Sequence, residues 1–225
     1  MPVSIYDHPA WRSVAGQAMR PGGLAVTRQA LEYCMLPPHA RVLDVGCGAG
    51  ATLRVLAAES QLLPFGVDSS GICLEHTRQS DAGLRLARAF AEHLPLVSES
   101  VNAAFFECTL SLLDTGQSLS ECARVLQPGG YLVVSDIYAR SESGITALKQ
   151  LPAGSCLSGA MTRPQIIEKI EQVGLSIAFW QDYPEAIKQF PVCTLTTAFA
   201  VDPFDLVIAT ARARLGYFML IARKE

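Results

Sequence analysis

Short apolar runs alternate with amphipathic stretches along the chain, and turns rich in glycine or proline separate them. Apolar runs of about four to eight residues between turns are typical of buried strands, whereas longer stretches with a period near 3.6 are typical of helices. This alternation predicts an α/β fold built on a mostly parallel sheet. The predicted strands are 41–45, 62–67, 84–89, 101–106, 131–136, 175–180 and 216–222, and the predicted helices are 24–36, 51–59, 70–79, 117–126, 163–173 and 184–200.

Residues 137–162 break the simple alternation, because they contain three glycines and a proline. We interpret them as an insertion with a short helix that closes over a pocket. Residues 203–214 form a loop or a helix before the final strand. The sequence shows no internal repeat, so residues 1–225 are expected to form a single domain.

Composition excludes several classes of protein. Half of the 225 residues are hydrophobic, but no apolar run reaches the roughly 18 residues of a membrane span. The first residues lack a basic region followed by an apolar one, so we expect no secretory signal and a cytoplasmic location. The net charge of −3, without a long basic run, argues against nucleic acid as a partner. Seven cysteines are an odd number, which argues against a disulfide framework, and none form a C-x-x-C pair, which argues against a zinc site. We therefore expect no metal.

A glycine-rich turn at residues 46–50 lies between a predicted strand and a predicted helix. Strand, glycine turn and helix begin a nucleotide-binding unit, in which the helix N-terminus offers unpaired N–H groups. The glycine spacing also fits the dinucleotide fingerprint, with Asp68 in the ribose-binding range, so a nicotinamide-dependent oxidoreductase is one hypothesis. Asp44 disfavours it, since a carboxylate before the first glycine would repel a pyrophosphate. It suits a ligand that carries an ammonium or sulfonium group.

The stretch Asp-Val-Gly-Cys-Gly-Ala-Gly at 44–50 resembles the first motif of class I S-adenosylmethionine-dependent methyltransferases of the UbiE-like type. Arg-Val-Leu-Gln-Pro-Gly-Gly at 124–130, followed by an apolar strand, is a second match. The resemblance covers about residues 20–223. It implies a three-layer Rossmann-like fold with a seven-stranded, mostly parallel sheet whose final strand is antiparallel. It also implies S-adenosylmethionine as cofactor and S-adenosylhomocysteine as product.

The resemblance also implies a set of cofactor-binding residues. Asp68 would accept both ribose hydroxyls, and residues 1–36 would form N-terminal lid helices. Ala-Glu-His-Leu-Pro-Leu at 91–96 is similar to the second motif, but the acidic position before it is Phe90, so the adenine would stack on Phe90 or bond to the backbone at Ala91. Arg20 would meet the methionine carboxylate or an acidic substrate, or would be an exposed arginine. The full set is Arg20, Asp44, Gly46, Cys47, Gly48, Gly50, Asp68, Ser69, Phe90, Ala91, Glu92 and Glu107.

Three further stretches, 135–139, 154–160 and 107–110, resemble segments of arsenite S-adenosylmethyltransferases. In that family a cysteine at the position of Cys156 binds trivalent arsenic, a soft ion that prefers thiolates. The resemblance makes Cys156, Cys108 and Cys193 candidate substrate-facing residues. The alternatives are structural cysteines and methylation of oxygen, nitrogen or carbon in a small metabolite, or a non-catalytic S-adenosylmethionine-binding protein. The expected partner is a small molecule, with no membrane; the oligomeric state and any catalytic base stay open.

Overall fold

The sheet is the framework of the molecule. A computed structural model describes residues 20–58, 61–151, 155–188 and 202–225. Within these residues seven strands form one sheet in the order β3-β2-β1-β4-β5-β7-β6. Strands β1 to β5 are parallel, whereas β7 runs antiparallel to both β5 and β6, so the predicted fold is confirmed. The strands are β1 (Arg41–Val45), β2 (Leu63–Asp68), β3 (Leu86–Arg88), β4 (Val101–Glu107), β5 (Leu126–Ala139), β6 (Leu175–Asp182) and β7 (Leu215–Lys224).

Helices cover both faces of the sheet, as the three-layer prediction requires. One buried cluster joins one face of the strands to α1, α2, α5, α7 and α8, and a second joins the other face to α4 and α6. The helices are α1 (Gly23–Cys34), α2 (Ala51–Ala58), α3 (Gly71–Ser80), α4 (Thr115–Val125), α5 (Glu142–Leu148), α6 (Arg163–Gln172), α7 (Pro184–Lys188) and α8 (Pro203–Ala213).

The alternation of side chains along β1 determines which face of the sheet Asp44 lies on. Leu43 and Val45 pack in the cluster with α4 and α6, whereas Val42 packs on the opposite face with α1 and α2. Successive side chains of a strand point to opposite faces, so Asp44 shares the face of Val42. Asp44 pairs with Phe105 of β4, which puts Glu107 on that same face, two residues nearer the carboxyl edge.

Side-chain caps begin several helices at the expected residues. Ser70 caps α3 by accepting a hydrogen bond from Cys73 N–H, and Thr162 forms a capping box with Gln165 at the start of α6. Helix α4 begins at Thr115, earlier than predicted, because the Asp114 side chain caps it.

Strand β5 is longer than predicted. It begins at Leu126 because residues 127–130 bulge out opposite Asn102, and pairing with β4 resumes at Tyr131. The amide of Asn102 donates to the Gln127 side chain (3.0 Å) and holds this bulge. Of the predicted helix 184–200, only Pro184–Lys188 lies within the described residues, and residues 203–214 are mostly helix.

The insertion at 137–162 contains the predicted short helix, α5. Its return segment packs directly on the loop after β4: a Cβ atom at Gly159 would overlap the Ser111 carbonyl. Closure over a pocket stays a prediction, as does the lid formed by residues 1–36, of which the structure describes residues 20–36. Among the described residues, no helix is long and apolar enough to span a membrane.

Candidate active site

The glycine turn lies at the carboxyl edge of the sheet, between β1 and α2. Gly46 and Cys47 both donate their N–H groups to the Val67 carbonyl (2.8 and 3.0 Å), which ties the turn to β2. Gly46 has a φ of +72°, and a Cβ atom there would overlap the Thr109 side chain, so two separate reasons require glycine. The turn therefore allows close approach of a ligand to the backbone.

Asp68, at the end of β2, connects this turn to the next helix. Its two carboxylate oxygens accept hydrogen bonds from Gly48 N–H and Ser70 N–H, both at 2.8 Å. The side chain is half-buried, and Ser69 beside it is exposed. The sequence placed a ribose-binding carboxylate here, and the structure positions Asp68 rigidly against the glycine turn.

Asp44 is 2% exposed. Among the described residues, no hydrogen bond reaches its carboxylate. Burial raises the pKa of Asp44 well above its usual value, and nearby Glu107 raises it further, whereas Arg20 lowers it. A buried carboxylate without a donor is unfavourable, so Asp44 is suited to receive a donor or a cation from a ligand.

Arg20 and Glu107 form a buried ion pair below the turn. Arg20 Nη1 lies 2.5 Å from Glu107 Oε2, and the side chains are 8% and 2% exposed. Arg20 also donates to Thr52 (2.8 Å) and Thr27 (2.7 Å), and both threonine hydroxyls donate to the Glu107 carboxylate. Burial lowers the pKa of Arg20, but Glu107 together with Tyr217, Cys108 and Asp44 raises it by more, so the pKa of Arg20 is raised overall. Arg20 is therefore buried and not an exposed arginine, and the Glu107 carboxylate is occupied by protein donors. A contact between Arg20 and a ligand carboxylate stays a prediction.

The segments that follow β3 and β2 present apolar side chains. Phe90 is 51% exposed and Ile72 is 48% exposed, next to the ends of β3 and β2 respectively, while Ala91 is buried. Glu92 faces elsewhere: its carboxylate accepts hydrogen bonds from Asp114 N–H (3.1 Å) and the Ser118 hydroxyl (3.3 Å). Glu92 therefore fastens its loop to α4.

Cys47 contributes to the turn through its backbone. The side chain is buried and packs under β2, since a Cβ atom at Gly66 would come within 2.6 Å of the Cys47 Sγ. Burial raises the pKa of the Cys47 thiol, so it is a protonated, apolar group at neutral pH.

Two further thiols lie beyond the ends of β4 and β5. Cys108 has a φ of +53°, and its Sγ lies 3.9 Å from the hydroxyl of Tyr217, which β7 places beside Ile137. Burial raises the pKa of Cys108 well above its usual value, and burial and Asp136 raise that of Cys156 to about 12. Sequence reasoning missed Tyr217, because nothing in the final strand indicated that its hydroxyl reaches this site.

The hypothesis of a metalloid held by thiolates is not supported. A soft ion binds thiolates, and burial raises the pKa values of Cys108 and Cys156, which disfavours the thiolate form. In the part of the chain that the structure describes, no group of three histidine, cysteine or acidic side chains could hold a metal ion. Cys193, the expected second ligand, lies outside the described residues.

Comparisons with known proteins agree with this geometry. A family described as a methyltransferase domain matches residues 43–134. The methyltransferase GfsG of Streptomyces halstedii is 30% identical over 199 residues, which cover 84% of this chain and 69% of GfsG. The uncharacterized methyltransferase YodH of Bacillus subtilis is 38% identical over 118 residues, which cover 50% of each chain. The C-methyltransferase UbiE of Campylobacter jejuni is 30% identical over 114 residues, which cover 48% of each. The matches thus span about half the length of YodH and UbiE.

A solved structure reproduces the whole fold. The [4+2]-cyclase SpnF superposes with a TM-score of 0.78 at 22% identity, over 98% of this chain and 93% of SpnF. Because SpnF is described as a cyclase, the fold alone does not specify the reaction. The family follows instead from sequence identity together with the glycine turn, Asp44 and Asp68: this chain belongs to the class I S-adenosylmethionine-dependent methyltransferases.

Proposed function

We propose that the protein transfers the methyl group of S-adenosylmethionine to an oxygen or carbon atom of a small metabolite. UbiE is named as a C-methyltransferase of ubiquinone and menaquinone biosynthesis, and other relatives are named as O-methyltransferases. The observation that carries the proposal is Asp44, a buried carboxylate without a hydrogen bond from the described residues, beside a glycine turn that Asp68 braces.

The residues of this edge fit the cofactor part by part. Asp44 would receive its ammonium group, and Asp68 and Ser69 would face the ribose hydroxyls, since a carboxylate has two oxygens to match a vicinal diol. The exposed ring of Phe90 and the backbone at Ala91 would bind the adenine. Gly46, Gly48 and Gly50 all have positive φ and keep the backbone open to the ligand.

The acceptor would bind at the carboxyl ends of β4 and β5, near Cys108, Cys156 and Tyr217. The cofactor supplies a methyl group on a positively charged sulfur, which leaves as a neutral thioether. Because burial raises the pKa values of Cys108, Cys156 and Tyr217, these groups stay neutral at pH 7. They would present three neutral groups to the acceptor, next to the buried carboxylate of Asp136, whose charge raises the pKa of both thiols. Such a wall would align the acceptor with the methyl group.

A turnover assay with radiolabelled S-adenosylmethionine tests the proposal. The panel contains phenols, quinols and carbon acids, with arsenite and amines as further acceptors. We expect label in at least one phenol, quinol or carbon acid, and S-adenosylhomocysteine in equal amount. Label in arsenite alone, lost in Cys156→Ser, would restore the metalloid hypothesis and remove this one. Cofactor binding without label in any acceptor would favour a non-catalytic binding protein.

A further inference from the structure

Three charged side chains are buried together below the glycine turn: Arg20, Asp44 and Glu107. Two carboxylates and one guanidinium leave the group with one uncompensated negative charge (−2 + 1 = −1) when both acids are ionised. Asp68, at the end of β2, is close enough for its charge to raise the pKa of Asp44. Among the described residues the group of three therefore has one negative charge in excess, and the question is which carboxylate Arg20 neutralises.

The hydrogen-bond donors near the two carboxylates are shared unequally between Glu107 and Asp44. The Nη1 group of Arg20 pairs with Glu107 and donates a hydrogen bond to Thr52. Its Nη2 group donates to Thr27, and its Nε donates to the Gly23 carbonyl (3.2 Å). The Glu107 carboxylate accepts hydrogen bonds from Thr27 of α1 and Thr52 of α2 and pairs with Arg20. Asp44 has no hydrogen-bond donor among the described residues. Both carboxylates lie on one face of adjacent strands, and Asp44 is near enough to Arg20 for each to affect the other's pKa.

We propose that Glu107 is a positioning residue that holds Arg20 away from Asp44, so that Asp44 stays available for the cationic group of the ligand. This inference rests on the proposed cofactor site. Glu107 makes its contribution without touching the cofactor: it withdraws Arg20, the cation that among the described residues would otherwise occupy the ligand's place. Thr27 and Thr52 fix the Glu107 carboxylate in the orientation that retains Arg20.

The net charge of each variant predicts an order of cofactor affinities. A direct contact between Glu107 and the cofactor would not produce this order. Glu107→Gln removes one negative charge, so Arg20 neutralises Asp44 and cofactor affinity falls on the order of tenfold, the scale of one lost charged contact. Adding Arg20→Met to Glu107→Gln removes that competing cation and returns the net charge to −1. The double variant should therefore bind the cofactor within about threefold of the unaltered protein.

Calorimetric titration of S-adenosylmethionine into the unaltered protein and these two variants tests the inference, with Glu185→Gln as the matched control. Glu185 also pairs with a cation, Lys188, but on an exposed helix, so its variant should bind normally. Recovery in the double variant supports the proposal. A double variant that binds as weakly as Glu107→Gln overturns it, as does undiminished affinity in Glu107→Gln.

A crystal structure of Glu107→Gln gives a readout that needs no cofactor. We expect an Arg20 nitrogen within salt-bridge distance of an Asp44 oxygen, and Arg20 still bound to the substituted side chain would contradict the proposal. Should Glu107→Gln fail to fold, the double variant decides alone, because replacing both members of a buried ion pair is well tolerated. A tenfold loss of cofactor affinity in the double variant would then show that Arg20 or Glu107 contacts the cofactor directly, which would overturn the proposal. Absence of cofactor binding by the unaltered protein would instead count against the proposed function.

Discussion

Single residues with a local signal were predictable, and residues that act through distant partners were not. Asp44 and Asp68 end strands beside a glycine turn, so a short stretch of sequence indicated their place. Arg20 and Glu107 meet only because α1 packs on the end of β4, and no local pattern encodes that ion pair. Glu92 is an acidic residue of the kind that binds ligands, yet its carboxylate accepts a hydrogen bond from Asp114 N–H at the start of α4.

Gly46 is required by its backbone angle and by the space around it. In Gly46→Ala, the strain of positive φ adds to an overlap with the Thr109 side chain, so both stability and cofactor affinity should fall. Gly174→Ala is the matched control, because Gly174 has a φ of +79° but no atom within 4 Å of a Cβ. We expect the control to cost about 1–2 kcal/mol in urea unfolding and to bind the cofactor normally. Equal effects of the two substitutions would show that the Thr109 contact is unimportant.

Asp136 should make stability depend on pH. Burial raises its pKa to about 6, although Ser111 and the Ile137 N–H donate to it. A raised pKa means that the folded state favours the protonated form, so stability from this group is present below pH 3.8 and is lost as pH rises to about 6. The shift corresponds to about 3 kcal/mol.

Urea unfolding between pH 4 and pH 7 measures this dependence in the unaltered protein and in Asp136→Asn. The difference between their unfolding free energies should change across pH 4–6 and stay constant above it. Asp205→Asn, at an exposed position on α8, is the control and should leave the profile unchanged. A constant difference from pH 4 to pH 7 would show that Asp136 titrates normally.

Helices and strands were predicted best where a cap or a period marks them. Ser70 and Thr162 begin α3 and α6 as expected, since capping is a local interaction. Strand β5 was predicted too short, because its first residue pairs with Val101 across a bulge that only the neighbouring strand explains. Helix α8 was left open between loop and helix, and the Asp202 side chain caps it.

The capping box of α6 should contribute to stability without affecting the cofactor. Thr162→Ala removes the hydrogen bond to Gln165 N–H, so we expect a loss of about 1 kcal/mol in urea unfolding and unchanged cofactor binding. Ser141→Ala is the matched control, because Ser141 occupies the same position before α5 but makes no capping hydrogen bond. A similar loss in both variants would mean that the cap itself contributes little.

The whole molecule follows the order that alternating strands and helices indicate, with β7 inserted between β5 and β6. The arsenite resemblance rests on short segments around Cys108 and Cys156, and the comparisons with known proteins do not support it. The burial of these thiols is set by the packing of the whole fold, which a sequence motif does not encode. The proposed acceptor site takes Cys108 from the loop after β4, Tyr217 from β7 and Cys156 from the insertion, so it would depend on the fold as a whole.

Calorimetric titration of S-adenosylmethionine and of NAD into the unaltered protein and Asp44→Asn tests the central claim most directly. Asp44→Asn keeps the shape of the side chain and removes the charge that would meet the ammonium group. We predict that the unaltered protein binds S-adenosylmethionine and not NAD, and that the variant binds S-adenosylmethionine on the order of tenfold more weakly. Preference for NAD, or equal affinity of both proteins for S-adenosylmethionine, would contradict the assignment of this site.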